Sequence, residues 1–474
     1  GRYEESLKVR ERLVALTGTS PEALRDWSVS LEKVGDVQRV LGDVVGARER
    51  YEDSLKVSER LVTLTGESPD ALRDWSVSLE KVGDVQRAMG DLAGARGRYE
   101  ESLKIRERLV ALTGTSPETL RDWSVSLNKV GDVQRAMGDL AGARGRYEES
   151  LKVSERLVAL TGESPEALRD WSVSLNKVGD VQRALGDVAG ARGRYEESLK
   201  VRERLVALTG TSPEALRDWS VSLEKVGDVQ RVLGDVVGAR ERYEDSLKVS
   251  ERLVTLTGES PDALRDWSVS LEKVGDVQRA MGDLAGARGR YEESLKIRER
   301  LVALTGTSPE TLRDWSVSLN KVGDVQRALG DVVGARGRYE ESLKIRERLV
   351  ALTGTSPETL RDWSVSLNKV GDVQRALGDV VGARGRYEES LKIRERLVAL
   401  TGQSPDALRD LHAVLFRMAD LAQASDDPAG ARQLYMRCLL TVQAALRQSP
   451  LSKDLQDDVE RVQARLDALP PDTP

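Results

Sequence analysis

Tryptophan recurs at one fixed interval along this chain: Trp27, Trp75, Trp123, Trp171, Trp219, Trp267, Trp315 and Trp363 each stand 48 residues from the next. A period of that length marks an array in which a single supersecondary unit is repeated, so 474 residues need not divide into ordinary globular domains. A ninth, divergent unit carries Leu411 at the tryptophan position. A longer period lies on top: residues 1–136 reappear unchanged as residues 193–328, the trace of a recent multi-unit duplication.

Within one unit, Ser20-Pro21 predicts a helix start, with Ser as N-cap and Pro at the first helical position, where its missing N–H costs nothing. Leu24, Trp27, Leu31, Val34 and Leu41 then recur at amphipathic helical spacing, and Gly42 ends the run. Asp43 predicts the cap of a second helix whose buried stripe passes through Ala47, Tyr51, Leu55, Leu61 and Leu64 before Gly66. Each unit is thus an α-hairpin of two helices of about 20 residues, ~30 Å long. Neither helix can bury its stripe alone, so neighbours must stack into a continuous core.

At this level the unit resembles the tetratricopeptide repeat family. Leu31, Val34-Gly35, Gly42-Asp43, Ala47, Tyr51 and Ser54 follow that family's order of large apolar, apolar–Gly, Gly-Asp turn, small, aromatic and small residues. The unit is 14 residues longer than the family's usual 34, Gln38 stands where an aromatic is expected, and the helix-ending Pro is absent. The resemblance implies an all-α fold, an α-solenoid of stacked antiparallel helix hairpins wound as a right-handed superhelix, of the near-identical kind found in bacterial arrays. The expected organisation is 1–18 as the second helix of a truncated repeat and 19–402 as eight near-identical repeats. Residues 403–448 would be a divergent ninth repeat, and 449–474 a capping helix with a frayed Pro-rich tail. In the ninth unit Ala431, Tyr435 and Cys438 take the small, aromatic and small positions. Ser449-Pro450 is expected to open the last helix, with Leu455, Val459, Val462, Leu466 and Leu469 inward and Lys453, Asp457, Asp458, Glu460, Arg461 and Arg465 outward.

Composition removes several function classes. Lys and Arg total 73 against 79 Asp and Glu, and the unit starting at Gly289 has eight basic and seven acidic side chains, so there is no basic stripe for nucleic acid. No apolar run approaches the ~18 residues that span a bilayer, and no signal-like segment opens the chain, which predicts a cytoplasmic protein with no membrane partner. His412 and Cys438, one of each in the chain, cannot build a zinc site, and a lone histidine gives no support for a catalytic triad. His412 is expected to be an ordinary helix residue and Cys438 a packing substitute for Ser. The Gly42–Gly46 segment lacks the Lys and the preceding strand of a phosphate loop. Glu52 with Lys56 reads as a local i,i+4 pair. No cofactor, metal or enzymatic activity is expected. The tryptophan stripe reads as core packing rather than a ladder for ligand stacking.

The family resemblance implies partner binding on a concave face lined by first helices. Carried over by position, this face comprises Val29, Glu32, Asp36, Arg39 and Val40 in the first unit. Its polar members elsewhere are Asp84 and Arg87; Asn128, Asp132 and Arg135; Asn176, Asp180 and Arg183; Asp228 and Arg231; Asp276 and Arg279; Asp324 and Arg327; Asp372 and Arg375. The Asp and Arg recur as a charge ladder, which either meets a partner or neutralises itself. Position 32 alternates between Glu and Asn, and position 58 between Ser and Arg, while little else differs. Such sameness suits a protein or peptide partner that is itself repetitive. The leading expectation is a protein–protein interaction scaffold, the sensor or adaptor region of a larger protein. The competing one is a structural spacer or rod that self-associates through its uncapped N-terminal half-unit.

Overall fold

The computed structural model describes residues 2–18, 20–210 and 212–470. Its described residues form twenty helices and no strand. Helix α1 (Arg2–Thr17) is followed by eight hairpins of near-constant size: α2 (Pro21–Val40) with α3 (Val44–Thr65), α4 (Pro69–Ala88) with α5 (Leu92–Thr113), α6 (Pro117–Ala136) with α7 (Leu140–Thr161), and α8 (Pro165–Ala184) with α9 (Val188–Thr209). They continue as α10 (Pro213–Val232) with α11 (Val236–Thr257), α12 (Pro261–Ala280) with α13 (Leu284–Thr305), α14 (Pro309–Ala328) with α15 (Val332–Thr353), and α16 (Pro357–Ala376) with α17 (Val380–Leu400). The ninth hairpin is α18 (Pro405–Ala424) with α19 (Pro428–Gln448), and α20 (Lys453–Asp467) closes the series. The chain divides into two compact units, Gly1–Arg242 and Tyr243–Pro474. Successive helices pack on one another from α1 to α10 in the first and from α12 to α20 in the second, the antiparallel stacked-hairpin arrangement of an α-solenoid.

Local chemistry sets the helix ends. The Ser20 side chain accepts from the Ala23 N–H, and Asp43 Oδ1 accepts from the Gly46 N–H at 2.9 Å, satisfying donors that the first turn leaves orphaned. Gly66 ends α3 in the left-handed conformation, φ 62°, where a side chain would be strained. One core in the first unit shows how the stack is sealed. Ala95, Tyr99 and Leu103 of α5 meet Leu120, Leu127, Val130 and Val133 of α6, then Val153 and Leu157 of α7 and Ala167 of α8.

The buried stripes differ from expectation at their ends. Leu41 caps α2 from beyond its last turn and is 78% exposed, and Leu64 near the end of α3 is 45% exposed. Trp123, Trp171 and Trp315 are half-buried against the cores, with indole nitrogens that are buried and have no acceptor among the described residues. Glu52 pairs with Arg48 at 2.7 Å and Lys56 with Asp53 at 3.0 Å, so the expected Glu52–Lys56 pair is replaced by two others. The last helix begins at Lys453 with Ser452 as N-cap, after Pro450. Asp458, expected on its outer face, is buried. The frayed tail falls mostly on residues 471–474, outside the described residues.

The Gly35–Tyr51 pair explains the motif that carries the family resemblance. A Cβ on Gly35 would lie 2.7 Å from Tyr51 Cε1, and the same contact recurs at Gly83–Tyr99, Gly131–Tyr147 and Gly179–Tyr195. The ~0.5–1 kcal/mol that glycine costs inside a helix is accepted because only a bare backbone admits the ring. The ninth hairpin departs from this, placing Ala419 at the glycine position beside Tyr435.

Candidate partner-binding face

The tyrosine that glycine admits delivers its hydroxyl to the aspartate of the charge ladder. Tyr51 Oη donates to Asp36 at 2.8 Å, and Lys81 of the next hairpin reaches the same oxygen at 2.7 Å. The arrangement repeats within the first unit as Tyr99–Asp84–Lys129, Tyr147–Asp132–Lys177 and Tyr195–Asp180–Lys225. In the second unit it repeats as Tyr291–Asp276–Lys321 and Tyr339–Asp324–Lys369. Each lysine also lies over the tyrosine ring, 5.2 Å from the centroid for Lys225 and 5.8 Å for Lys81, within cation–π range. Burial alone would push the Asp36 carboxyl up, but the Lys81 ammonium and the Tyr51 hydroxyl together hold it below its usual range. Burial first, and then the Asp36 charge, push the Tyr51 hydroxyl well above its ordinary value.

These aspartates therefore join one hairpin to the next. Of the arginines equivalent to Arg39, Arg135 and Arg327 come within 4.0 Å of the aspartate of the next hairpin. Asp228 holds the same register in α10.

Position 32 also turns inward. Glu32 accepts from Ser54 at 3.2 Å and from Ser78 of the next hairpin at 2.9 Å; Glu80 and Glu272 repeat the pattern. Burial raises the Glu32 carboxyl pKa, partly opposed by those two hydroxyls. Where the residue is Asn, at 128, 176, 320 and 368, its carbonyl oxygen is buried with no hydrogen-bond partner among the described residues.

The arginines remain outside. Arg39, Arg87, Arg135, Arg183 and Arg231 are exposed in the first unit, and Arg279, Arg327 and Arg375 in the second. Arg135 and Arg327 reach the next aspartate only at 4.0 Å, and Arg87, Arg183 and Arg375 form no ion pair among the described residues. Beside this row stand Val29, 47% exposed, and Val40, 81% exposed. The first-helix face thus presents one guanidinium per hairpin, its carboxylates already engaged.

Sequence reasoning missed the second kind of joint, at position 58. Where it is Ser, a buried hydroxyl ring forms: Ser28 to Ser54 at 2.8 Å, Ser54 to Ser78 at 3.2 Å, Ser78 to Ser58 at 3.0 Å, and Ser58 to Ser28 at 3.1 Å. Where it is Arg, the guanidinium is buried against an aspartate of the following helix, as Arg298 with Asp314 at 2.6 Å and Arg346 with Asp362 at 2.5 Å. Burial depresses the Arg346 pKa, partly offset by Asp362. The alternation of Ser with Arg was the available signal, but the partner sits in the next unit.

Among the described residues no group of three or more His, Cys, Asp or Glu could hold a metal ion, and no helix is long and apolar enough to cross a membrane.

Stacked helix hairpins with a polar joint between successive pairs define a helical-repeat protein. No protein-family model and no curated protein sequence matches the chain. Among solved structures, the apo form of RapI is similar over 90% of this chain and 99% of its own, at 11% identity and TM-score 0.56. A signal-transduction ATPase with a tetratricopeptide repeat sensor from Pyrococcus horikoshii aligns with 86% of this chain and 54% of its own, at 14% identity and TM-score 0.48. BtubC from P. vanneervenii aligns with 56% of this chain and 94% of its own, at 19% identity and TM-score 0.45. The likeness to RapI supports the fold class and nothing further, since identities this low carry no function.

Proposed function

We propose that this chain is a protein-interaction scaffold whose first-helix face binds an extended acidic protein or peptide segment along the arginine row. One observation carries the reading: Asp36, Asp84, Asp132 and Asp180 are spent on Tyr and Lys within the stack, while Arg39, Arg87, Arg135 and Arg183 stay exposed. A row of similar guanidiniums, one per hairpin, suits carboxylates that recur along a partner. The test is fluorescence anisotropy with labelled oligo-glutamate and oligo-lysine peptides. Binding of oligo-glutamate that weakens with salt, and by about tenfold or more when Arg87, Arg135 and Arg183 are changed to Glu, is expected. Equal binding of the two peptides, or indifference to the triple change, refutes the reading.

A further inference from the structure

The second unit contains a cavity of about 380 Å³ lined by α16, α18 and α20. That volume lies within the range of binding pockets. Its wall arises where the ninth hairpin abandons the repeat. Phe416 stands at the position of Glu32, Arg417 at that of Lys33, His412 at that of Ser28, and Ala413 at that of Val29. Helix α20 supplies Asp458, Arg461 and Val462. By the 48-residue period α20 is itself the remnant first helix of a tenth unit, with Asp458 in register with Asp410.

The carboxylates around the cavity are already engaged by the protein. Asp372 receives the Tyr387 hydroxyl at 2.8 Å and Arg417 Nε at 3.0 Å. Asp420 receives the Tyr435 hydroxyl, with Arg465 Nε at 3.8 Å. Asp458 receives Arg461 at 2.7 Å and faces His412 Nε2 at 3.3 Å, while His412 Nδ1 lies 2.6 Å from the Arg409 carbonyl. The cations are less occupied. Arg375 is exposed with no ion pair among the described residues, and the Arg461 side chain is 60% exposed despite its bond to Asp458. Phe416, half-buried, lines the same cavity, its ring edge-to-face with Tyr435 at 5.6 Å.

We infer that this cavity is an anchoring pocket for a peptide segment in which an acidic residue neighbours a bulky apolar one. The carboxylate lies against Arg375 and Arg461, and the apolar side chain against Phe416, Ala413 and Val462. The pocket follows the last regular arginine of the row, Arg375, so it deepens the acidic-partner reading and rests on it. A uniform row grips a repetitive chain at any offset. Within the second unit, a single dissimilar pocket beside the last of Arg279, Arg327 and Arg375 gives that chain one preferred register.

The test compares two labelled probes on the full chain, an oligo-glutamate peptide and the same peptide with one internal Phe. The Phe probe is expected to bind about tenfold more tightly, the order expected for burying an aromatic ring. Phe416→Asn, which installs the residue found at 128, 176, 320 and 368, should abolish that preference and leave oligo-glutamate binding unchanged. Because Phe416 packs on Tyr435, Arg461→Gln at the exposed rim serves as a second variant, expected to weaken the Phe probe at least threefold with an unchanged thermal melt. Equal affinity of the two probes for the parent, or a preference surviving in both variants, overturns the pocket. Loss of oligo-glutamate binding in the Arg87, Arg135 and Arg183 triple variant reads the row independently, so failure of the pocket is distinguishable from failure of the row.

Discussion

The joint formed by Tyr147, Asp132 and Lys177 can be measured directly. Lys177 Nζ lies 2.6 Å from Asp132 Oδ1, with side chains 25% and 23% exposed, so the pair is largely removed from solvent while both partners keep further contacts. A double-mutant cycle of Asp132→Asn and Lys177→Met isolates the pairwise term. Exposed ion pairs give about 0.2–1 kcal/mol, whereas hydrogen bonds to charged groups give about 1.5–3 kcal/mol; burial of this pair places the expected coupling in the upper range. Arg144 with Glu148, at 2.7 Å but 45% and 42% exposed, is the built-in comparison, expected near 0.3–0.5 kcal/mol as an i,i+4 pair. Urea unfolding followed by circular dichroism supplies the midpoints, with unchanged m values required so that the shifts report stability. Stability of a stacked array is approximately a sum of unit and joint terms, so one weakened joint lowers the midpoint by its own term. A coupling for 132 and 177 no larger than that for 144 and 148 would refute the claim that these aspartates bind hairpin to hairpin.

Two further outcomes follow from buried titratable groups. The raised pKa of Glu32 means that the folded state holds its proton more tightly than the unfolded chain does; its favourable contribution is complete below the ordinary carboxylate range and is lost as pH rises through the folded value. Glu32→Gln should therefore gain on the parent between pH 4 and pH 7, read as urea midpoints, and a gap independent of pH would show Glu32 to be solvated. Cys438 is fully buried, its thiol facing the His412 carbonyl at 3.3 Å, and burial pushes its pKa up to about 12. Native protein at pH 8 should resist iodoacetamide and react fully in urea, as mass spectrometry would show; prompt native labelling would mean that α18 and α19 separate readily.

Much of the hairpin was legible from residues close together in the chain. Ser20, Asp43 and Gly66 announce helix ends because each cap is satisfied within a few residues. Gly35 and Tyr51, sixteen apart, announce close approach because one hairpin fixes both. What escaped lies one unit away. Lys81 reaches Asp36 across 45 residues and Arg25 reaches Asp74 across 49, distances that depend on the lateral register of stacked hairpins. Of the positions assigned to the candidate face, Glu32 and the aspartates therefore turn to the next repeat, and the arginines stay exposed. Asp458 escaped for the same reason: its amphipathic pattern reads as surface until α18 and its His412 are placed against it.

The two joint types at position 58 bear on how such a chain can change length. An Arg there needs only the aspartate of the Asp26 series in whatever unit follows, and that aspartate stands in every one from Asp74 to Asp458. A Ser needs only the hydroxyl of the Ser30 series, present from Ser78 to Ser366. The position-58 joint of any regular unit can consequently be completed by whichever regular unit follows. Loss or gain of 48 residues by slippage between near-identical coding repeats would leave each of these joints with a partner, making the number of hairpins a quantity that heredity can adjust.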